Sequence, residues 1–261
     1  MRTVDKALKL LDWFTDKRSE IGLSEMARLS GHDKATVHRM LTTLARHGLL
    51  EQHSTLKTYR LGAGILRLAR LREACFPVGA VVNPVLEQLA ADTRETAHAS
   101  LLAGAQLMTI GTAEATRSTR VSIEPGLILP FHATASGIAV LGHSPDSLVN
   151  TVLAGPLPRF TADTDCDIGN LRKRIAECRR TGIGISDLGY ESDVCSTAAP
   201  LFGPDGWACG AVTVAAPASR MNADVRRQIT AAVVRAAFEI TRGLGGEPAA
   251  SFKSATERLA A

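Results

Sequence analysis

The sequence predicts an α+β protein in two parts. An amino-terminal winged helix-turn-helix is followed by a linker helix and by a larger domain of helices packed on an antiparallel sheet. Three observations lead to this prediction. The chain of 261 residues is long enough for two hydrophobic cores. Its positive charge is concentrated at one end. Helical periodicity dominates the first third, whereas short strands bounded by turn residues alternate with helices beyond residue 77.

The charge distribution separates the two parts. Residues 1–72 hold 14 of the 30 Lys and Arg but only 7 of the 26 Asp and Glu, which gives a net charge of +7. Residues 73–261 carry the remaining charged residues and a net charge of −3. An excess of positive charge confined to the smaller part favours a polyanionic partner for that part alone.

Three helices are predicted first. One covers residues 4–14, because apolar side chains recur there with helical spacing: Val4, Ala7, Leu8, Leu11 and Phe14. A second runs from Ser24, its expected N-cap, to Ser30, with Gly31 in the left-handed conformation that ends a helix. Asp33 is expected to cap a third helix over residues 34–46. Two short helices separated by a glycine-containing turn are typical of a helix-turn-helix.

The outward face of the third helix lacks acidic residues. With Val37, Leu41 and Leu44 as the core stripe, the opposite side carries small residues, hydroxyls and arginines. Short side chains let a helix enter the major groove, and Arg39 can contact a phosphate or a guanine edge. The alternative is the solvated face of a small bundle, which usually mixes both signs of charge. We therefore expect DNA contacts from Lys34, Ala35, Thr36, His38, Arg39, Thr42, Thr43 and Arg46.

A hairpin is predicted directly after this helix. Residues 49–52 and 58–61 have strand character, and the turn between them is polar and cationic. We expect Lys57 and Arg60 on this wing to contact the DNA backbone or the minor groove. The winged module is placed at residues 1–62 and a linker helix at 63–77, whose apolar residues could also form a dimer surface.

The domain beyond residue 77 has a mixed pattern and is placed at residues 78–243, with 244–261 expected to be a flexible tail. The pattern predicts helices over 78–92, 134–141, 145–153, 168–181 and 222–242. It predicts strands over 98–102, 106–110, 120–123, 184–187, 196–202 and 208–215.

Several stretches together resemble the IclR family of transcription regulators. In the first part these are Ala7–Leu11, Leu23–Ala27, Thr36–Leu44, His47–Gly48 and Tyr59–Gly62, and in the second Pro130–Ala139, Ala198–Phe202 and Gly210–Pro217. The similarity covers roughly residues 3–243. It implies a GAF-like effector-binding domain and a homodimer or homotetramer that binds a double-stranded DNA operator. A small organic or aromatic acid is the implied class of effector.

The resemblance also implies where the effector binds. Backbone N–H groups at Ala135 and Ser136 lie at a helix start and suit a carboxylate. The family's acidic, polar and hydroxyl positions on three strands fall on Asp187, Ser196 and Thr213. Two departures concern the pocket: Ile138 follows Gly137 where the family has Lys, and the segment from Glu191 to Val194 lacks the family's glycine.

Other chemistry has little support in the sequence. We find no catalytic motif and expect no enzyme activity, no cofactor and no metal site. Five cysteines, with no C-x-x-C pair, argue against a disulfide framework. No apolar run approaches the roughly 18 residues of a membrane span, so we expect no membrane partner and a cytoplasmic location. Two alternatives stay open: a small-molecule enzyme with a DNA-binding head, and a constitutive DNA-binding protein whose second domain only oligomerises.

Overall fold

The computed structural model describes residues 2–15, 17–124 and 126–257, and the chain divides into two compact units, residues 1–77 and 78–261. The first unit contains the predicted winged module together with the predicted linker helix. The second unit includes the segment that was expected to be a flexible tail. The predicted α+β class with an antiparallel sheet is confirmed.

Three helices open the first unit: α1 (Arg2–Lys9), α2 (Leu23–Ser30) and α3 (Lys34–Arg46). The prediction of one helix over 4–14 is wrong at its end, because Leu11–Trp13 tighten into a 3-10 turn. The tighter turn changes which side chain faces inward. Leu10 is fully buried, whereas Val4 and Leu8 are 64% and 48% exposed.

The turns around α2 and α3 follow the sequence with one exception. Gly22, and not Ser24, precedes α2, because Leu23 is already helical. Gly31 adopts the predicted left-handed conformation at φ +69°. Asp33 caps α3 as expected, and its Oδ1 accepts a hydrogen bond of 2.9 Å from the Thr36 N–H.

The predicted wing is present as β2 (Leu50–Gln52) and β3 (Thr58–Leu61), an antiparallel pair. A further short strand, β1 (Ile21–Gly22), pairs with the other side of β3 and was not predicted. The unit's core lies between these strands and the three helices; it includes Leu10, Ile21, Met26, Val37, Leu41, Leu44, Leu50 and Tyr59.

The predicted linker helix is α4 (Ala63–Cys75), and none of its residues is buried. Its start is fixed to the wing. Gly64 donates its N–H to the Gly48 carbonyl at 2.9 Å, and Glu51 Oε1 accepts from the Ala63 N–H at 3.1 Å. A side chain at Gly62 or Gly64 would place Cβ within 2.6 Å of the Gly48 oxygen, so this junction requires glycine.

The second unit is a six-stranded antiparallel sheet between two helical layers. Its strands are β4 (Thr96–Ala103), β5 (Gln106–Ala113), β6 (Ile128–Leu129), β7 (Gly184–Asp187), β8 (Val194–Phe202) and β9 (Ala208–Pro217), in the order β6-β5-β4-β9-β8-β7. Its helices are α5 (Val78–Thr93), α6 (Ala135–Gly142), α7 (Asp146–Leu153), α8 (Ile168–Thr181), α9 (Ala223–Gly243) and α10 (Ala250–Thr256). Helices α5 and α9 share one core with the sheet, and α6, α7 and α8 share the other.

Two predictions for this unit are wrong. Residues 120–123 form no strand; the side chains of Arg120 and Ser122 both bond to the Glu114 carboxylate at 2.6 Å and hold the segment there instead. The expected flexible tail is folded over residues 250–256, where Phe252 is fully buried against the rings of Phe202 and Phe238. Residues 258–261 of that tail lie outside the described part of the chain.

Candidate DNA-contacting surface and effector cavity

The outward face of α3 is exposed, as the sequence predicted. Lys34, Ala35, His38, Arg39, Thr42, Thr43 and Arg46 are exposed and Thr36 is half-buried, while Val37, Leu41 and Leu44 are buried on the opposite side. No acidic residue interrupts the exposed face between Lys34 and Arg46. The surface is therefore a cationic, hydroxyl-bearing ridge, which suits contact with phosphates and base edges.

Local hydrogen bonds orient the centre of this ridge. Arg39 Nη2 donates to Thr36 Oγ1 at 3.3 Å, which directs the guanidinium along the helix toward its N-terminus. Thr43 Oγ1 donates to the Arg39 carbonyl at 2.8 Å, so its hydroxyl proton is already used within the helix. Thr43 is thus left with acceptor capacity, whereas Arg39 keeps most of its donors for a ligand.

The wing tip is held in one conformation by His53. Its Nδ1 accepts from the N–H groups of Thr55 and Leu56, both at 3.2 Å. Lys57 then adopts φ +55°, a left-handed conformation uncommon for a residue other than glycine. The exposed Lys57 side chain stands at the end of this turn, where the sequence placed it.

Arg60 differs from the other predicted contacts because it already has an anionic partner. Its guanidinium lies 3.1 Å from Glu51 Oε2 across the β2–β3 pair. The pKa of Glu51 is lowered by the Ala63 N–H and by Arg60, so this carboxylate stays charged. Glu51 therefore competes with any other anion for the donors of the Arg60 guanidinium.

The second unit contains a small cavity of about 50 Å³ between the start of α6 and the sheet. Four of the five predicted effector residues line it: Ala135, Ser136, Ser196 and Thr213. The structure adds His98, Thr134, Ser186, Tyr190 and Glu191, together with an apolar wall formed by Val121, Ile123, Leu127, Leu129, Val194 and Ala215.

Asp187, the fifth predicted effector residue, does not line this cavity. Strand β7 alternates, so Ser186 points inward and is buried while Asp187 points outward. Asp187 instead forms an ion pair with Arg226 of α9. The prediction of an acidic group from β7 in the cavity is therefore wrong, and a hydroxyl occupies that position.

The polar end of the cavity is a chain of buried side chains on three elements. His98 Nε2 lies 3.3 Å from Ser136 Oγ, and Ser136 Oγ lies 2.8 Å from Thr213 Oγ1. All three are less than 5% exposed. Burial lowers the pKa of His98 to about 4, so its imidazole is neutral at physiological pH.

Backbone donors complete this end. Thr134 caps α6 by accepting from the Gly137 N–H at 3.1 Å, and its carbonyl accepts from Ile138. Within the described part of the chain, the N–H groups of Ala135 and Ser136 have no acceptor. A helix N-terminus with two free N–H groups attracts negative charge. Gly137 is required here because a Cβ would lie 2.2 Å from the Phe131 oxygen.

Tyr190 and Glu191 come from the loop between β7 and β8, which two threonines hold in place. Thr161 and Thr164 donate to the carbonyls of Leu188 and Gly189 at 2.6 and 2.7 Å. Burial and the nearby Asp193 raise the pKa of Glu191. Among the described residues that line the cavity, none is Lys or Arg. An anion bound there would be stabilised by the dipole of α6 and by side-chain hydroxyls, and not by a positively charged side chain.

Sequence reasoning missed His98, although a signal was present. Thr96, His98 and Ser100 are polar residues at alternate positions of a strand that is otherwise apolar, which indicates a buried polar face. No group of three or more metal-ligating side chains is assembled among residues 2–15, 17–124 and 126–257. No single helix in those ranges is long and apolar enough to cross a membrane.

Comparison with known proteins agrees with both units. Residues 3–54 match the model of the IclR helix-turn-helix domain. Residues 75–242 match the model of the carboxy-terminal domain of IclR bacterial transcriptional regulators. The second match alone covers more than half of the chain.

Individual relatives are similar along nearly their whole length. The transcriptional repressor IclR of Escherichia coli K12 is 26% identical over 94% of this chain and 91% of its own. The crystal structure of an IclR-type regulator from Silicibacter sp. TM1040 is 46% identical, with a TM-score of 0.90 over 96% of this chain and 99% of its own. An IclR homologue from Microbacterium hydrocarbonoxydans, complexed with 4-hydroxybenzoate, has the same fold at 22% identity. Its TM-score is 0.76 over 93% of this chain and 99% of its own.

These matches are to regulators that bind DNA, and not to enzymes. They agree with the exposed cationic face of α3 and with the two-unit architecture. The chain belongs to the IclR family of bacterial transcriptional regulators.

Proposed function

We propose that this regulator binds a small organic acid in the cavity beside α6, and that binding changes its affinity for an operator. One observation carries the proposal. The residues at the N-terminus of α6, Ala135 and Ser136, line the same cavity as the hydroxyl-bearing residues Ser196 and Thr213. A homologue of the same fold is complexed with 4-hydroxybenzoate, which supports an acid as the class of ligand.

The size of the cavity bears on the effector. A volume of about 50 Å³ is well below the roughly 300–1,000 Å³ of typical ligand pockets. A compact acid fits with little change, whereas an aromatic acid requires outward movement of the loop that carries Tyr190 and Glu191. A ligand changes DNA binding only if it has different affinities for the two states of the protein.

For DNA recognition, we propose that α3 enters the major groove and that the wing lies beside it. Lys34, Thr36, His38, Arg39, Thr42, Thr43 and Arg46 are the side-chain contacts, with Ala35 allowing close approach. Lys57 contacts phosphate from the wing tip. Arg60 contributes less, because Glu51 competes for its guanidinium.

We propose that a second copy of the chain covers the exposed apolar side of α4. Three leucines of α4 are about half exposed: Leu66 (54%), Leu68 (47%) and Leu71 (55%). Phe76, the residue that follows the helix, is 63% exposed, so large apolar side chains are concentrated on this short segment. Leu68, Leu71 and Cys75 recur at i, i+3 and i+7, the spacing of a helix–helix seam. A homodimer or homotetramer built through α4 would bind a palindromic operator.

Cross-linking tests this contact directly. Because Cys75 is exposed and lies on the seam, mild oxidation is expected to produce a covalent dimer that Cys75→Ser abolishes. Leu71→Glu should shift the protein to monomers in analytical ultracentrifugation. A dimer that persists in Leu71→Glu and does not cross-link would contradict the proposed interface.

We propose a cytoplasmic location, where DNA is accessible; the five cysteines, none in a disulfide, agree with a reducing compartment.

The decisive experiment combines DNA and effector in one assay. Gel shifts with the DNA upstream of the coding region are run with and without acetate or 4-hydroxybenzoate. Arg39→Ala is expected to reduce affinity by about tenfold or more, and Arg172→Ala, an exposed arginine on α8, is the matched control. Full affinity in Arg39→Ala would overturn the proposed recognition face.

Ser136→Ala distinguishes the remaining alternative in the same assay. It should leave DNA binding in the absence of acid unchanged and abolish the response to acid. DNA binding that responds to no acid in either protein would favour a constitutive DNA-binding protein.

A further inference from the structure

The effector cavity poses a problem of hydrogen positions. An anionic oxygen needs donors, yet the three polar side chains at its closed end also bond to one another. His98 Nε2 lies 3.3 Å from Ser136 Oγ, which lies 2.8 Å from Thr213 Oγ1. Whether a proton remains for a ligand depends on which atom donates in each of these two hydrogen bonds.

The proton count has two solutions. If His98 carries its proton on Nε2, the imidazole donates to Ser136. One of the two hydroxyl protons then fills the contact between Ser136 and Thr213, and the other is free for the cavity. If Nε2 is bare, Ser136 must donate to His98 and Thr213 must donate to Ser136. Both hydroxyl protons are then used, and only lone pairs face the ligand.

The surroundings of the other ring nitrogen favour the first solution. His98 Nδ1 is buried and has no hydrogen-bond partner, and the side chain as a whole is 4% exposed. A buried N–H without an acceptor is rarer and more costly than an unfilled lone pair. The proton is therefore better placed on Nε2, where Ser136 accepts it. The low pKa of His98 agrees with a neutral ring carrying a single proton.

We infer that His98 is a positioning residue of the effector site, whose neutral Nε2–H tautomer leaves one hydroxyl proton of the Ser136–Thr213 pair free to donate toward an anionic ligand. This inference rests on the proposed effector function. It explains how a cavity with no Lys or Arg among its described lining residues can prefer a carboxylate over a neutral group of the same shape. Hydrogen bonds in a buried chain also strengthen one another.

The tautomer is measurable without a ligand. Long-range ¹H–¹⁵N correlation spectra distinguish the two neutral tautomers of each of the seven histidines, and His98→Gln assigns the signal. At pH 7 we expect the pattern of a neutral Nε2–H ring for His98. A proton on Nδ1, or a doubly protonated ring, would overturn the inference whatever the protein binds.

Ligand preference gives a second readout. The probes are 4-hydroxybenzoate and 4-hydroxybenzamide, which differ in charge but hardly in shape. We expect the wild-type preference for the acid to fall by about tenfold in His98→Leu, which has no donor, one hydrogen bond being worth about that much. His98→Gln, whose amide can replace the Nε2 donor, should keep the preference within about threefold.

Thr197→Val is the matched control, since its hydroxyl is buried and unpartnered but does not line the cavity. An undiminished preference in His98→Leu would refute the positioning role while leaving the effector function intact. If neither probe nor acetate binds the wild type, the effector function loses its support, and the tautomer measurement still decides the inference.

Discussion

Asp187 Oδ1 lies 2.6 Å from Arg226 Nη2, on the side of β7 opposite to the effector cavity. The neighbouring residue Ser186 faces the cavity instead, and its hydroxyl donates to the Ala133 carbonyl at 2.6 Å. The Asp187 side chain therefore links β7 to α9, and the Ser186 side chain links β7 to the segment before α6. The cavity is left without a carboxylate from this strand.

Asp187→Asn is therefore expected to leave effector affinity within about twofold of wild type. The ion pair is half exposed, so its loss should lower the free energy of unfolding by no more than about 1 kcal/mol. Isothermal titration with 4-hydroxybenzoate and urea unfolding measure the two effects. Thr213→Val, which removes a hydroxyl from the cavity itself, is the comparison that should lose affinity. An Asp187→Asn protein that binds tenfold more weakly would restore this residue to the site.

Lys57→Gly separates charge from conformation at the wing tip. Glycine adopts φ +55° without strain, so stability should not fall, but one phosphate contact is lost. The slope of log affinity against log salt concentration should become shallower by about one unit for DNA of any sequence. Lys173→Gly on α8 serves as a charge-matched control for DNA binding. An unchanged slope in Lys57→Gly would remove the wing tip from the DNA interface.

Phe252→Ala tests whether α10 is part of the folded unit. Phe252 is fully buried and its ring lies within 5.8 Å of the rings of His143, Phe202 and Phe238. Removing it should lower the free energy of unfolding by about 3–5 kcal/mol. Ser254→Ala, at an exposed position of the same helix, should cost much less. Equal unfolding midpoints for Phe252→Ala and wild type would mean that the segment contributes nothing to the core.

Acid should weaken the second unit through its buried histidines. Burial, with Arg179 nearby, lowers the pKa of His143 to about 4. The unfolded chain takes up this proton below pH 6.5 and the folded chain only near pH 4, so stability falls as the pH drops through that window. Comparing urea unfolding at pH 7.0 and 4.5, His143→Phe should lose on the order of 2 kcal/mol less than wild type. An identical loss in both proteins would show that His143 is not a source of the pH dependence.

The sequence could predict the elements with strong local signals. The Asp33 and Asn222 caps and the glycine after α2 are encoded by neighbouring residues. What it could not predict depends on contacts that no local pattern indicates. Residues 120–123 are tied to the Glu114 carboxylate and not to a strand, β1 pairs with β3, and α10 packs on the rings of Phe202 and Phe238.

Some residues of the candidate site could be predicted from the sequence and others could not. Ala135, Ser136, Ser196 and Thr213 were placed by family resemblance, and the structure brings them to one cavity. Asp187 was misplaced because a position one residue along a strand faces the other side of the sheet. His98 was overlooked because its partner Ser136 lies 38 residues away.

The junction between the wing and α4 has a mechanical consequence. Glu51 and Gly48 form hydrogen bonds with the first turn of α4. Gly48 directly follows α3 and its C-cap residue, so the end of α3 is joined to the start of α4 by hydrogen bonds. A helix of 13 residues is about 20 Å long and stiff. We therefore expect a rotation of the far end of α4 to be transmitted to α3. Inserting one alanine after Arg67 would rotate the distal half of α4 by about 100° relative to α3 without changing any proposed DNA-contacting residue.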